Sequence, residues 1–422
     1  MKPITAQSLT NNIGYYLRHI YCLCCLLIIF ASFSGILVAK EKINIFWADY
    51  DGDAKAYTDA LQRAFNQAHP DIQLSIIRIN WTFMEQRLLA HIAAKREPNL
   101  AVVPTYWMPR FERINLLESF EPYLSAQTLN NLLISTYLKK KLFGIPMARG
   151  IRVMYYRDDL IPRAPKTFEE MLSIAKKIHN PPHLFGIGLI GQTYAENVGF
   201  AYYLYGNGGK YFHLNQDGSY GKSAVNSPEG IKALTFMNDL VHKHKVTQPH
   251  VNAYGRNEVQ ALFVAGKIGF FLNVAATASI LERADVPFSW KVAPIPSFKG
   301  KPAAPLQVTD SIIMFKRPGK YKAACKFIEF FYQDKWRLLF DQSVGFPPVT
   351  KTLLNHSSFK KPVFKAMKES SKFAKSFPLV ENWNAINQIL WTEFEEVYLG
   401  YKTPSDALNQ AALKIDRLRG LK

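Results

Sequence analysis

Segments with strand-like and helix-like patterns alternate along the chain after residue 40, and this alternation limits the possible folds more than any other feature. Ile43, Ile45 and Trp47 alternate with other residues as in a strand, and apolar residues between 57 and 68 recur at helical spacing. A β-rich segment at 74–79, a helical segment at 83–94 and an apolar run at 100–103 follow. Strands that alternate with helices predict an α/β fold with mainly parallel sheets. Such sheets bind ligands beyond the carboxyl ends of their strands.

The length and composition are those of a folded protein with more than one domain. A chain of 422 residues exceeds one typical domain, and its 48% apolar and 20% charged residues are ordinary for globular proteins. The sequence contains capping signals for the N-termini of two helices. Thr167 and Glu170 form a capping box, and Ser227 precedes Pro228 at the start of another helix. We therefore expect two α/β lobes and no long disordered linker.

The first 39 residues differ from the rest of the chain. Lys2 and Arg18 are the only Lys, Arg, Asp or Glu residues in this segment, and residues 20–39 are uncharged. The pattern is typical of an export signal, and small residues near Ser34 and Ala39 favour its cleavage. Residues 20–39 are also long enough to span a bilayer, so an uncleaved anchor is the alternative. Both interpretations predict a periplasmic protein, free or tethered to the inner membrane by residues 20–39.

The charge and cysteine content restrict the possible partners. The 52 Lys and Arg exceed the 33 Asp and Glu, and the net charge of +19 favours anionic partners without identifying one. The run at 139–141 is three lysines, which is more typical of a solvated turn than of a nucleic-acid module. We expect no nucleic-acid partner. Of the four cysteines only Cys325 follows residue 39, so an exported chain has no intramolecular disulfide.

Three short motifs suggest cofactors or metals without the context that such sites need. Residues 186–191 match the Gly-x-Gly-x-x-Gly dinucleotide fingerprint, but they read as a strand preceded by Pro181-Pro182. Residues 49–53 resemble a calcium loop that has Ala60 in place of the bidentate glutamate. His242 and His244 lie at a helix end, where histidine is common for other reasons. With no recognised catalytic motif either, we expect no cofactor, no metal and no enzyme.

The order of several segments resembles the extracellular solute-binding proteins of ABC importers, in particular the sugar-binding group typified by maltose-binding protein. The most specific stretches are Leu142 to Pro146, Tyr155 to Leu160 and Pro165 to Glu170, and further similar stretches include 45–47, 226–230, 293–296 and 345–349. The resemblance covers about residues 42–420. It implies a periplasmic-binding-protein-like fold of two α/β lobes joined by a hinge, with a ligand cleft between them. The expected lobes are 42–148 plus 311–357, and 152–307 plus 360–422.

The same resemblance implies a substrate-binding protein that captures a sugar or oligosaccharide and delivers it, as a monomer, to permease subunits in the membrane. A sugar cleft needs polar groups for hydroxyls and aromatic rings for C–H faces. By family position the ligand-binding residues are Trp47, Asp49, Tyr106, Trp107, Arg149, Glu196, Asn273, Asp310 and Trp383.

Several of these assignments have structural alternatives. Trp47 alternates with Ile45 and could belong to the core. Arg149 could form an ion pair at the hinge, and Glu196 could form a surface pair or a helix cap. Ala276 stands where many relatives have a stacking tryptophan. Two other functions remain open: Arg149 favours a phosphorylated ligand such as glycerol 3-phosphate, and Asp49 with Glu196 would suit a glycan-acting enzyme of the envelope.

Overall fold

The computed structural model describes residues 39–50, 54–134, 136–192 and 198–421. The larger of its sheets contains β1 (Glu41–Asp49), β2 (Ile72–Asn80), β3 (Leu100–Pro104), β4 (Leu117–Glu118), β5 (Thr136–Leu138), β6 (Lys141–Ile151), β13 (Leu306–Phe315) and β14 (Lys375–Ser376). The strands run in the order β2-β1-β3-β13-β6-β5, and β4 and β14 also pair with β13. We call this sheet, with the helices packed on it, the first lobe.

The second lobe is built on a four-stranded sheet. Its strands are β7 (Val153–Arg157), β8 (Phe185–Gly188), β11 (Ile268–Asn273) and β12 (Trp290–Pro294), in the order β12-β7-β11-β8. A separate two-stranded pair, β9 (Phe212–Leu214) and β10 (Tyr220–Ser223), lies against the last long helix of the chain.

Helices cover both sheets. They are α1 (Ala54–Ala68), α2 (Trp81–Ala93), α3 (Met108–Arg113), α4 (Ala126–Asn131), α5 (Phe168–Ile178), α6 (Val198–Gly206), α7 (Pro228–His242), α8 (Arg256–Val264), α9 (Ala276–Ala284), α10 (Tyr321–Phe331), α11 (Asp334–Val344), α12 (Pro362–Ser371), α13 (Trp383–Tyr398) and α14 (Pro404–Leu418). In the first lobe α1, α10 and α11 pack together beside β1 and β2, and in the second lobe α13 and α14 pack on α7.

The predicted α/β class is confirmed, but the sheets are mixed and the expectation of mainly parallel strands is wrong. β1 runs parallel to β2 and β3, as the alternating pattern predicted, and β8 runs parallel to β11. β13 is antiparallel to β3 and β6, and β7 is antiparallel to β11 and β12. In the first sheet, β13 is antiparallel to β6 because β6 takes the chain out of the sheet and β13 brings it back beside β6.

Two crossings join the lobes. β6 ends at Ile151 in the first sheet, and β7 begins at Val153 in the second. The return runs from β12, which ends at Pro294, to β13, which begins at Leu306. The lobe boundaries expected from the resemblance, 42–148 plus 311–357 and 152–307 plus 360–422, stay a prediction.

The explicit helix starts are confirmed. Thr167 Oγ1 accepts a hydrogen bond from the Glu170 amide at 3.1 Å, and Glu170 Oε2 accepts one from the Lys166 amide at 2.8 Å. Ser227 Oγ accepts from the Gly230 amide at 3.3 Å, with Pro228 in the first turn. These bonds satisfy amides that have no partner inside the helix.

The predicted export signal or anchor, residues 1–39, lies outside the described residues except for residue 39. Across the part of the chain that the structure describes, none of the helices combines the length and the apolar character needed to cross a membrane.

Glu393 on α13 is a buried carboxylate that joins two lysines. Its oxygens accept hydrogen bonds from Lys402 Nζ at 2.7 Å and Lys414 Nζ at 2.6 Å. Burial acts to raise the pKa of Glu393, but the two lysines outweigh it and hold the pKa below its ordinary value. Because the folded-state pKa is the lower one, the stabilisation is present at neutral pH and is lost as the pH falls through that pKa.

We expect Glu393→Gln to lower the free energy of unfolding at neutral pH by about 1.5–3 kcal/mol, because charged hydrogen bonds are lost. The deficit should shrink in acid, where the native carboxylate is protonated as well. Urea unfolding at roughly pH 7 and pH 3, below the ordinary glutamate pKa, measures both values. Glu395→Gln on the same helix is the control. An equal deficit at both pH values would contradict the assignment.

Candidate functional site

Aromatic side chains of the two lobes meet where β3 ends. β3 continues into a 3₁₀ helix, Thr105–Trp107. The Tyr106 ring centroid lies 6.4 Å from that of Trp383 at the start of α13 and 5.6 Å from that of Phe377. Tyr211 of the second lobe lies 5.0 Å from Trp383 and 6.1 Å from Phe377. We call these four residues the junction cluster. It lies at the carboxyl end of a strand, where ligands bind in α/β sheets.

Hydrogen bonds to β13 fix the segment that carries Tyr106 and Trp107. Thr105 Oγ1 donates to the Thr309 carbonyl oxygen at 2.7 Å and lies 2.8 Å from Ser311 Oγ. Tyr106 and Trp107, which follow it, are both buried. The sequence predicted Tyr106, Trp107 and Trp383 as ligand contacts, and the structure places them on adjoining elements.

The junction contains buried donors without partners. The indole N–H groups of Trp107 and Trp383 and the hydroxyl of Tyr211 have no hydrogen-bond partner among the described residues. Leaving such groups buried and unpaired costs free energy. A ligand that accepts these hydrogen bonds would remove that cost.

Polar contacts also hold α13 against the first lobe. Asn384 Nδ2 donates to Glu85 Oε1 at 2.5 Å, and Glu85 also accepts from Arg110 Nη1 at 3.0 Å. Arg113 and Glu381 form an ion pair at 3.0 Å. The lobes are therefore in direct contact around the junction cluster.

Asp310 and Tyr50 form a second polar contact at the hinge. Tyr50 OH donates to Asp310 Oδ2 at 2.8 Å, and burial, reinforced by Asp310, raises the pKa of Tyr50. The Tyr50 ring lies 5.6 Å from Phe346 and 5.6 Å from Trp81. Asp310 was predicted from the sequence, whereas Tyr50 was missed, although it directly follows the first strand.

Trp47 lies in the core of the first lobe. Its side chain is fully buried, with ring centroids 5.3 Å from Phe331, 5.6 Å from Phe340 and 6.4 Å from Tyr57. This is the packing role that the sequence left open as the alternative, and a ligand contact by Trp47 stays a prediction. The neighbouring Asp49 is bound by Arg78 on β2.

Asn273 does not reach the junction cluster through the contacts described. Asn273 is fully buried at the end of β11, where Nδ2 donates to Gln260 Oε1 and Thr277 Oγ1, both at 2.9 Å, and Oδ1 has no partner among the described residues. Glu196 lies outside the described residues. Ligand contacts by both stay predictions.

The motifs that suggested cofactors have structural explanations. Gly186 and Gly188 lie on β8, as the alternation predicted, and a Cβ on Gly186 would approach the Ala175 carbonyl oxygen of α5 to 2.6 Å. A close helix–strand contact thus requires glycine there. His242 Nε2 lies 3.1 Å from the Tyr398 carbonyl oxygen. Within the described ranges no group of three or more His, Cys, Asp or Glu residues is arranged to hold a metal ion.

Cavities among the described residues lie away from the junction cluster. One of about 290 Å³ lies between α9 of the second lobe, α11 of the first lobe and α12, and residues Ser279, Gln342 and Lys361 are part of its lining. Another of about 440 Å³ lies between β9, β10 and α14. Since rings of both lobes touch at the junction cluster, a ligand that binds there must separate or displace them.

Comparison with known proteins identifies the family. The family model described as bacterial extracellular solute-binding protein matches residues 60–366, and the chain belongs to this family. A binding protein of Brucella abortus is 28% identical over 393 residues, which cover 89% of this chain and 93% of that protein. The galactooligosaccharide-binding protein of Bacillus subtilis is 22% identical, with 89% of each chain covered.

A solved structure has the same fold. The ABC transporter solute-binding protein of Thermotoga lettingae, bound to α-D-tagatose, superposes with a TM-score of 0.80. The match covers 90% of this chain and all of that one, at 22% sequence identity. The expected periplasmic-binding-protein-like fold of two lobes is therefore confirmed.

Proposed function

We propose that the protein is the substrate-binding component of an ABC importer, which captures a sugar or oligosaccharide in the periplasm and delivers it to permease subunits in the membrane. The family assignment supports an exported binding protein. The names of the Bacillus and Thermotoga proteins, which bind a galactooligosaccharide and tagatose, support a sugar. In this proposal the protein acts as a monomer, without a cofactor or metal, and does not alter its ligand.

The junction cluster is the feature of the structure that best supports this proposal. Tyr106 belongs to the first lobe and Trp383 to an element packed on the second, so their rings meet at the contact between the lobes and would line the cleft that opens when the lobes separate. Aromatic rings bind the C–H faces of sugars, and nearby polar groups bind the hydroxyls. We assign ligand contacts to Tyr106, Trp107 and Trp383, with Arg149 and Asp310 as polar contacts.

Hinge motion provides the proposed mechanism. The chain crosses between the sheets twice, at residues 151–153 and 294–306, and bending there separates the lobes. In the open form the cleft admits the ligand. Closure removes water from it and creates the surface that docks on the permease, and the contacts Glu85–Asn384 and Arg113–Glu381 belong to the closed form.

A thermal-shift screen of residues 40–422 against mono- and oligosaccharides tests the proposal. A ligand at a hundred times its Kd adds about 2.7 kcal/mol of stability and should raise Tm visibly. Small-angle scattering with a confirmed ligand should show a smaller radius of gyration. An unchanged radius would exclude hinge closure, and turnover of a labelled oligosaccharide would favour the glycan-acting enzyme instead.

A further inference from the structure

A cavity of about 440 Å³ lies within the second lobe, between β9, β10 and α14. None of the four junction-cluster residues is part of its lining. Its volume is in the range of small-molecule sites. Because all of these elements belong to one lobe, the cavity does not depend on the angle between the lobes.

Hydrogen bonds join α14 to β10 and to the loop that follows it. The Ser223 backbone amide donates to Asp416 Oδ1 at 2.7 Å, and Asn226 Nδ2 donates to Asn409 Oδ1 at 3.0 Å. All four of these residues line the cavity. The bonds fix its polar side chains relative to one another, so a ligand meets a site that is largely formed before it binds.

Ser223 contributes a buried hydroxyl to this site. The residue is 6% exposed, and its Oγ has no hydrogen-bond partner among the described residues. Leaving a hydroxyl buried and unpaired costs free energy. A ligand oxygen bound in the cavity would remove that cost, because the Ser223 hydroxyl can both donate and accept hydrogen bonds.

The charges of the cavity favour a neutral ligand. Lys222 on β10 and Asp416 on α14 both belong to its lining. A ligand with one net charge is attracted by one of these groups and repelled by the other. Hydroxyl groups match both, since each can accept a hydrogen bond from Lys222 or donate one to Asp416. Asn226 and Asn409 add amide donors and acceptors.

An apolar wall completes the lining. Ala412 and Leu413 of α14 provide it, and Leu413 is 63% exposed, so the wall is open to a ligand from solvent. A saccharide has C–H faces that pack on apolar groups and hydroxyls that bind polar ones. A zwitterionic amino acid also matches the two charges, but it has no row of hydroxyls for the asparagines and the serine.

We propose that this cavity is a second saccharide site of the protein, separate from the cleft between the lobes. Lys222, Asn226, Asn409 and Asp416 bind the hydroxyls of a neutral mono- or oligosaccharide, and Leu413 packs on one of its C–H faces. The site goes beyond the proposed function, since a sugar bound to a single lobe needs no hinge closure. Binding here leaves the cleft free for a ligand of its own.

Saturation-transfer NMR and calorimetry of residues 40–422 with galactose, maltose and maltotriose test this site. The Trp383→Ala chain, which lacks a proposed cleft contact, should still bind at least one of them. Adding Lys222→Ala and Asn409→Ala to that chain should weaken the remaining binding by about tenfold or more, the loss expected for two hydrogen bonds. Lys177→Ala with Gln410→Ala removes two exposed side chains outside the lining and is the matched control, which should bind normally.

The outcomes separate this inference from the proposed function. If the saccharides that bind the native chain do not bind Trp383→Ala, or bind it equally well with and without Lys222 and Asn409, the second site is excluded while the importer function stands. The dipeptide alanyl-alanine is a zwitterionic probe, and its binding through Lys222 and Asn409 in place of any saccharide would overturn the ligand class. Sugar binding that depends on Lys222 and Asn409 and not on Trp383 supports the second site even where the cleft binds nothing. If no saccharide binds the native chain, both sites fail as sugar sites.

Discussion

Replacing Asp341 with alanine is expected to lower the free energy of unfolding by about 3–5 kcal/mol, because it leaves Arg337 as an unpaired charge in the core. Both side chains are fully buried and face each other one turn apart on α11. Arg337 Nη2 also donates to the Met147 carbonyl oxygen of β6 at 2.7 Å, and its guanidinium lies 4.7 Å from the centroid of the Phe340 ring. Urea unfolding measures the loss.

A paired replacement separates the cost of an orphaned charge from the cost of lost packing. Arg337→Met combined with Asp341→Leu removes both charges, and we expect it to recover most of the stability that Asp341→Ala loses. A double variant that is as unstable as the single one would show that the ion pair itself stabilises the hinge strand. A single variant within 1 kcal/mol of the native chain, roughly the effect of an ordinary surface substitution, would contradict the burial of the pair.

Trp47→Ala is expected to cost about 3–5 kcal/mol of stability while ligand affinity changes little. The ring fills space between α1, α10 and α11, where it contacts Tyr57, Phe331 and Phe340. Removing it opens a cavity that these rings close only in part. Denaturant unfolding and calorimetry with a ligand found in the screen measure the two effects separately.

Trp47→Phe keeps most of the packing and serves as the control, with a smaller loss of stability. The opposite pattern, in which Trp47→Ala stays stable and loses ligand affinity, would establish the ligand contact that family position implies. Trp383→Ala provides the comparison, since Trp383 lies in the junction cluster and its loss should affect binding.

Local features of the fold could be predicted from the sequence because their causes are local. The strand at 100–103 and the cap at Thr167 depend on neighbouring residues, and both are confirmed. The position of β13 between β3 and β6 could not be inferred from periodicity, since its pattern does not reveal which strands lie beside it. The alternation of strands and helices indicated two α/β lobes, and the resemblance supplied the hinge and the cleft between them.

The residues of the candidate site likewise divide into those that could be predicted from the sequence and those that depend on tertiary packing. Tyr106 and Trp107 were predicted by family position, and they follow a buried strand, where ligand-binding loops are expected. Phe377 and Tyr211 were missed, since they join the junction cluster from segments that are distant in sequence. Their positions in the junction cluster depend on tertiary packing, which the sequence pattern does not reveal. Arg149 was noted as a candidate, but only the structure reveals that its Nε is buried without a hydrogen-bond partner among the described residues.

The late position of β13 in the chain has a consequence for biosynthesis. β3 and β6 both pair with β13, which ends at Phe315, so the first sheet stays split until about three quarters of the chain has been made. Contacts between such distant segments form slowly. We therefore expect the first lobe to stay incomplete during synthesis, and passage through a secretion channel requires a chain that has not finished folding. The order of the strands thus gives the export machinery time to act before the binding protein folds.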